Sequence, residues 1–338
     1  MMGDQGHSAP AARTARALED FLQRVKPVVS DFTPDLDAVA VELFEAFAAA
    51  GVDALLLKGP ALAQMLYTPD EHRKYSDVDV LVAPHGVAPA RQTLARLGYR
   101  AASQTFAIED VGGVVHEEGW WGRGPGARHD LLVELHLRLA GSEAPPCATW
   151  DALAARRTTI ELQGRRVPAL NREGAALHLA THAAQHGPAY RKGCRELGLG
   201  LERWPFEVWE GAARLALEVE GCEAFAAGLR LVPTGRELAR ALGLAATDAL
   251  DWEIRHGDLR PRGTFHVTAL REAQSLRARA TVIGRALLPP RRWITWQHPW
   301  AQAGGARLVA AYALHLMRAP AWAARAWRFS RRAQRRSD

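Results

Sequence analysis

"KYSDVDVLVAP", residues 74–84, sets Asp77 and Asp79 two positions apart in a run that is otherwise mostly apolar. Successive side chains of a strand point to opposite faces, so Val78, Val80 and Val82 share one face and the two aspartates share the other. At about 3.3 Å per residue the aspartate Cα atoms stand roughly 6.5–7 Å apart. Anions that close repel unless a cation lies between them or water screens them. The strand therefore asks for a positive partner, or for enough exposure that water screens the pair.

Upstream, "VDALLLKGPALAQMLY" (52–67) reads as a strand from Asp53 to Leu57 that runs into Lys58-Gly59-Pro60. A short helix follows, with Leu62, Met65 and Leu66 on one side. Pro60 suits a first helical position, where its missing N–H is no loss. Gly59 permits a tight turn and the close approach of another group. Downstream, a helix over roughly 86–97 ends at Gly98, and short strands are expected between Tyr99 and Trp121. "DLLVELHLRLA" (130–140) alternates strictly, with Val133, Leu135, Leu137 and Leu139 on one face and Glu134, His136 and Arg138 on the other. "TTIELQGRRVPAL" (158–170) reads as a hairpin turning at Gly164. From Asn171, a good N-cap, the pattern is helical to the end. Ahead of the strands lie a small, polar stretch (1–12) and helical patterns near 13–26 and 35–50, the second stopped by Gly51. The expected layout is a tail and helices over 1–50, an α/β core over 51–140, and a mainly helical region with a basic tail over 141–338.

Apolar residues make up 48% and charged residues 24% of the 338, the balance of a globular protein. The net charge of +6 is local. Residues 285–338 hold eleven arginines and one acid, a net of +10, which leaves −4 for the rest. Cys147, Cys194 and Cys222 are widely spaced and form no CxxC, which reads as reduced thiols. The N-terminus has no apolar signal segment, and no apolar run approaches the ~18 residues of a membrane span. The expected location is cytoplasmic.

A glycine turn at a helix start, a strand with two aspartates and a second strand with Glu134 suit phosphoryl chemistry. Two cations ~3.5–4 Å apart can bind the attacking and leaving oxygens of such a transfer, and hard cations prefer carboxylate oxygens. The free N–H groups of the helix after Gly59 suit a triphosphate. "LLLKGPALAQMLYTPDEHRKYSDVDVLV" together with "LLVELHLRL" resembles the bacterial family of uncharacterised nucleotidyltransferases, a branch of the DNA polymerase β-like superfamily. The matching positions are Lys58-Gly59, Tyr67, Arg73, Asp77-Val78-Asp79 and Glu134-Leu135-His136. "LHLATHAAQHG" and a tail of the type "LLPPRRW…HPW…YALHLMR" extend the likeness over most of the chain from about residue 50.

That resemblance implies an α+β fold, a small polymerase β-like mixed sheet with flanking helices, followed by a mostly helical C-terminal region. It implies transfer of a nucleoside monophosphate from an NTP, ATP foremost, to an unidentified acceptor. Asp77, Asp79 and Glu134 would hold Mg²⁺ or Mn²⁺ and carry catalysis, while Lys58, Gly59, Arg73 and Ser76 would bind nucleotide. The wider superfamily has Gly-Ser at the turn; here Pro60 replaces the hydroxyl and removes a donor, and Lys58 would compensate as a point charge. The alternative is a catalytically weak module that senses nucleotide or binds nucleic acid or a membrane surface.

His178, His182 and His186 recur on one helical face. An i,i+4 pair can ligate zinc, but no matching Cys or acid set accompanies it, so His182 and His186, with His136, are expected to line the cleft. The tail interleaves arginines with Trp293, Trp296, Trp300, Trp322 and Trp327. It suits nucleic acid or an anionic membrane surface, or packs its tryptophans on the domain as far as about Trp322 and leaves the last turn as a basic arm.

Overall fold

The computed structural model describes residues 33–102, 117–127, 129–188, 190–246 and 275–337, with 266, 267, 270 and 273 besides. The stretch 1–12, the helical pattern near 13–26 and part of the strand region after Tyr99 lie outside the described residues.

The aspartate run forms β2 (Asp77–Val82), in a seven-stranded sheet of order β3-β4-β5-β2-β1-β7-β6. β1 (Ala54–Leu56) lies antiparallel to β2, and the bonds from Leu57 N to Asp79 O and from Ala83 N to Asp53 O lengthen that pairing at both ends. β5 (Leu131–His136) runs parallel to β2 on its other side. β3 (Arg100–Ala101) and β4 (Glu117–Gly122) continue the sheet beyond β5 as antiparallel neighbours. The hairpin of β6 (Thr158–Leu162) and β7 (Arg165–Ala169) turns at Gln163 and Gly164, both at positive φ, as a two-residue loop matched to strand twist requires. Leu56 pairs with Ala169 in parallel, so the hairpin joins the sheet beside β1. The 51–140 segment thus supplies five of the seven strands.

Both faces of the sheet are covered. On one, α1 (Thr33–Ala49) presents Leu36, Val39, Leu43 and Phe47 at helical spacing to Val78, Val80, Val82 and Val133. Its stop is a Schellman turn: Gly51 takes φ 67°, Gly51 N donates to Ala48 O, and Val52 N donates to Phe47 O. α2 (Pro60–Leu66) and α3 (Val87–Arg96) flank β2 in sequence.

The other face carries Leu55, Leu57 and Leu81, packed with the first helices of the C-terminal half. That half comprises α4 (Pro146–Ala154), α5 (Arg172–His186), α6 (Arg191–Arg203), α7 (Phe206–Glu218), α8 (Cys222–Leu229), α9 (Pro233–Ala241), α10 (Leu276–Leu287), α11 (Arg291–Gln297) and α12 (Gly305–Ser337). Asn171 caps α5 by accepting from Gly174 N at 2.9 Å. α5 is buried nearly all round because α7 and α8 close over it, and Leu177, Trp209 and Phe225 share one core. Gly228 sets the approach of α8: a Cβ there would overlap the Ala180 carbonyl oxygen. Gly228→Ala is expected to cost roughly 1–3 kcal/mol, the usual range for overpacking, read as a lowered denaturant midpoint with an unchanged m-value.

Among the described residues, no helix is long and apolar enough to cross a membrane.

Candidate active site

The parallel register of β2 and β5 decides what meets on the α5-facing side of the sheet. Asp79 pairs with Glu134 and Leu81 with His136, so the two carboxylates are side-by-side neighbours across strands about 4.8 Å apart. Asp79 is fully buried. Its Oδ1 lies 2.9 Å from Lys58 Nζ and 3.0 Å from His136 Nε2, and Lys58 Nζ stands 4.0 Å from Glu134 Oε2. The positive partner that the aspartates ask for is therefore the lysine of the turn. Asp79 Oδ2 is buried and has no hydrogen-bond partner. His136 sits between acids, with Nδ1 3.5 Å from Glu117 Oε2.

Asp79, Glu134 and His136 each present one ligand atom, all within 4.8 Å of one another. Asp77 stands outside that set; it is half-buried and lines the adjoining cleft.

The charges are strongly coupled. Burial would raise the Asp79 carboxyl, but the Lys58 ammonium and the His136 contact outweigh it and hold it well below the usual carboxylate range. Glu134 takes the opposite course: burial, then the charges of Asp79 and Glu117, push it up to about 9. Burial would lower Lys58, yet Asp79, Asp77 and Glu134 together keep it above its ordinary value. Asp77 is raised by burial and by Asp79.

Above the acids, α5 presents its histidines. Burial, helped by the nearby Lys58 charge, lowers His178 to about 3 and holds His182 well below the usual imidazole range. Both are neutral at pH 7. His182 Nε2 lies 3.4 Å from Lys58 Nζ and can accept from it, and His186 Nε2 is 3.1 Å further on. Both ring nitrogens of His178 are buried without a partner.

Lys58, Arg73, Ser76, Asp77, His178, His182, Tyr190, Lys192 and Glu196 line a cleft of about 50 Å³. That volume admits water or a single small group; pockets for whole small molecules run to ~300 Å³ and more. A roomier groove of about 620 Å³, among Phe44, Trp150, Arg165 and Arg166, contains none of the acidic cluster.

Arg73 is committed elsewhere. Its Nε and Nη2 donate to Glu196 Oε1 and Oε2 at 2.9 and 3.0 Å, and its Nη1 donates to Gly59 O at 3.2 Å. Tyr67 donates to the same Glu196 at 3.3 Å. Arg73 and Tyr67 thus tie the glycine turn to α6. Gly59 holds φ 65°, and a Cβ there would touch the Tyr75 ring at 3.7 Å. Ser76 is exposed at the start of β2.

Residues 34–198, which hold every one of these groups, match the family model for "Uncharacterised nucleotidyltransferase". These residues belong to that family. No curated protein matches the chain significantly. Among solved structures, the chain is similar to an antigenic nucleotidyltransferase-like protein from Paracoccidioides brasiliensis, at 15% identity and TM-score 0.34, over 63% of this chain and 94% of that one. It is also similar to the antibiotic-resistance factor ANT(2'')-Ia, at 18% identity and TM-score 0.31, over 61% and 96% of the two chains. The lincosamide antibiotic adenylyltransferase LnuA in its lincomycin-bound form matches at 15% identity and TM-score 0.30, over 46% and 92%. Superpositions this loose carry no argument about substrate.

Sequence reading did not single out Glu196, Lys192, Tyr190 or Glu117. "VVHEEGWW" holds a usable signal for Glu117, because a strand beside β5 must present alternate residues to the Glu134 face. Glu196 has none: a lone acid in "CRELGLG" looks like any solvated helix position.

Proposed function

We propose that this nucleotidyltransferase moves a nucleoside monophosphate from a nucleoside triphosphate, ATP foremost, to an acceptor hydroxyl or similar nucleophile. The acceptor oxygen bonds to the α-phosphorus, the bond from that phosphorus to the β-bridging oxygen breaks, and pyrophosphate leaves. The observation that carries this reading is the buried, unpartnered Oδ2 of Asp79 beside Glu134, in a group whose ligand atoms lie within 4.8 Å of one another. The two carboxylates fit Mg²⁺ or Mn²⁺, with the imidazole of His136 the softer ligand of the set, and an orphaned anionic oxygen is a costly thing to bury without a cation to meet it. Asp79, Glu134 and His136 would hold the ion, with Asp77 at the cleft side. Such a cation, when bound, neutralises phosphate oxygens and offsets the charge developing on the leaving group.

The chain's own groups supply the rest. Lys58 and Lys192 present ammonium groups to the triphosphate. Glu134 takes the proton of the acceptor. Arg73, held by Glu196, fixes the Gly59 turn rather than donating to phosphate. His182 lines the acceptor side as a neutral imidazole. Admitting a nucleotide requires α6 and Tyr190 to move outward from the cleft.

One contact favours a second reading, nucleotide binding with little turnover: Lys58 already occupies one oxygen of Asp79 at 2.9 Å. Incubation with α- and γ-labelled ATP, Mg²⁺ or Mn²⁺, and a small-molecule extract separates the two. Release of pyrophosphate with α-label on a new product is expected. Transfer of the γ-label, or binding without pyrophosphate release, overturns the proposal.

The raised Glu134 carboxyl adds a pH signature. Glu134 holds a proton below about pH 9 in the metal-free protein and loses it when a cation binds. Mn²⁺ affinity is therefore expected to rise about tenfold between pH 7 and pH 8, with close to one proton released per ion, measured by calorimetry in two buffers of different ionisation enthalpy. Affinity flat over that range sinks this part.

A further inference from the structure

We infer that the groove between β1 and β7 binds a small organic anion, a flat ring that carries a carboxylate or a phosphate ester. A proline opens the two strands there. They share one bridge, Leu56 to Ala169, and Leu170 N donates to Leu56 O at 3.2 Å. The next rung toward the N-termini of these parallel strands would run from the N–H of residue 168 to Ala54 O. Pro168 has no N–H, so the ladder stops and the strands part. Ala54 and Leu55 on one side and Arg165 to Pro168 on the other line the groove of about 620 Å³, a size that takes a whole small molecule.

The opening joins the two faces of the sheet. Phe44 comes from the core under α1, Trp150 of α4 packs against the core on the other face, and both line the groove. Val52, Leu55 and Pro168 complete an apolar slot. Phe44, Val52 and Leu55 are buried, while Trp150 and Pro168 are half-buried. An aromatic side chain from each face suits a flat ring between them.

The charges of the groove do not cancel. Arg157, Arg165 and Arg166 stand against Glu45 and Asp53. Arg165 Nε meets Glu45 Oε1 at 3.1 Å, and Asp53 Oδ2 lies 3.8 Å from His85 Nε2. Arg157 and Arg166 are exposed, and among the described residues no ion pair or hydrogen bond engages either guanidinium. These two share one side of the hairpin. Val167 and Ala169 belong to the α1 core, so by alternation Arg166 and Pro168 point the other way, to the Trp150 side. Thr159 pairs with Pro168, which puts Arg157, two residues earlier, on that side as well.

Charge and shape together choose the ligand. A cation would meet a net positive rim, and a neutral apolar molecule would leave two guanidinium groups unused. An inorganic anion would leave the slot between Phe44 and Trp150 empty. A ring with an anionic substituent satisfies both, its charge on the arginine fork and its body in the slot. Lys58 lies three residues beyond Leu55, about 10 Å along an extended chain, so this site is separate from the acidic cluster and does not depend on nucleotidyl transfer.

The test is a fluorescence titration of the full chain, in EDTA, with anilinonaphthalenesulfonate and its neutral relative phenylnaphthylamine. One saturable site for the anionic dye is expected. Its affinity should fall at least tenfold in Arg157→Gln/Arg166→Gln, the usual weight of a hydrogen bond to a charged group. It should fall as far in Ala48→Trp, which fills the groove from an exposed position of α1. Circular dichroism melts of both variants should match the parent. Lys192→Gln, in the other cleft, should leave dye binding unchanged, and the neutral dye should not distinguish the parent from the arginine variant. Naphthoate and naphthyl phosphate should each displace the dye, and the tighter competitor names the anionic group. Absence of a saturable site, indifference to either groove variant, loss in Lys192→Gln, or displacement by neither competitor overturns the inference.

Discussion

Asp79→Asn is expected to abolish pyrophosphate release, by roughly 10³-fold or more, while the protein stays folded. Asn keeps the shape of the side chain and removes the charge. What disappears is the fixed anion beneath the cleft, the group best placed to hold a cation against the triphosphate. Removing a single preorganised electrostatic contact from an active site typically costs 10²–10³-fold, and the loss of a metal-holding carboxylate belongs at or above that range.

The prediction of intact folding follows from the neighbours. Burial does most to keep Glu134 protonated, and the Asp79 charge adds to it, so neutralising Asp79 eases the ionisation of Glu134. Glu134 Oε2 lies 4.0 Å from Lys58 Nζ, and Asp77 also faces that ammonium, so Lys58 keeps an anionic partner. Thermal unfolding of Asp79→Asn should thus stay within a few degrees of the parent while turnover is lost. A variant that unfolds outright reports a structural role for Asp79, and one that retains more than a tenth of the parent rate removes Asp79 from the chemistry.

The sheet was legible in the sequence wherever one residue type repeated with period two. β2 and β5 were readable because valines and leucines alternate with acids, and the hairpin was readable because Gln163-Gly164 interrupts two such runs. β5 ends at His136, short of the Leu139 that the alternation reaches. Alternation shows which residues share a face and not where pairing stops. The joining of β7 to β1 was hidden because a single parallel bridge, Leu56 to Ala169, leaves no mark on either strand's composition.

At the site, periodicity put Asp77 and Asp79 on one face and Glu134 with His136 on another strand's matching face. Register then brought Asp79 opposite Glu134, which only strand pairing decides. Arg73 shows the limit of the method. A sequence gives a cation near two acids no means of choosing between phosphate and a carboxylate 123 residues away, and the structure pairs it with Glu196. Lys58 shows the same limit in reverse: its neighbour in the sequence is a glycine turn, but its neighbour in space is Asp79.

Lys58→Met is expected to destabilise the fold by roughly 3 kcal/mol at pH 7, since removing one partner of a buried ion pair commonly costs 3–5 kcal/mol and Glu134 can share part of the remaining charge. Met has a similar length and leaves no large cavity, so the loss is electrostatic. Its pH dependence gives the sign. Asp79 has a folded pKa below its unfolded value, so its contribution is present above the usual carboxylate range and is lost as pH falls through the depressed folded value. Lys58 has a folded pKa above its unfolded value, so its contribution is fully present at every pH below the unfolded lysine range. The gap between parent and Lys58→Met should accordingly be widest from about pH 5 to 9 and shrink as pH drops below about 4, where Asp79 of the unfolded chain takes up a proton while the folded parent holds its charge down to the depressed value. Urea denaturation at a series of pH values measures it. A gap that persists undiminished at pH 3 would mean that Lys58 stabilises through its methylene packing, and the Asp79 ion pair would then count for little in holding β1 to β2.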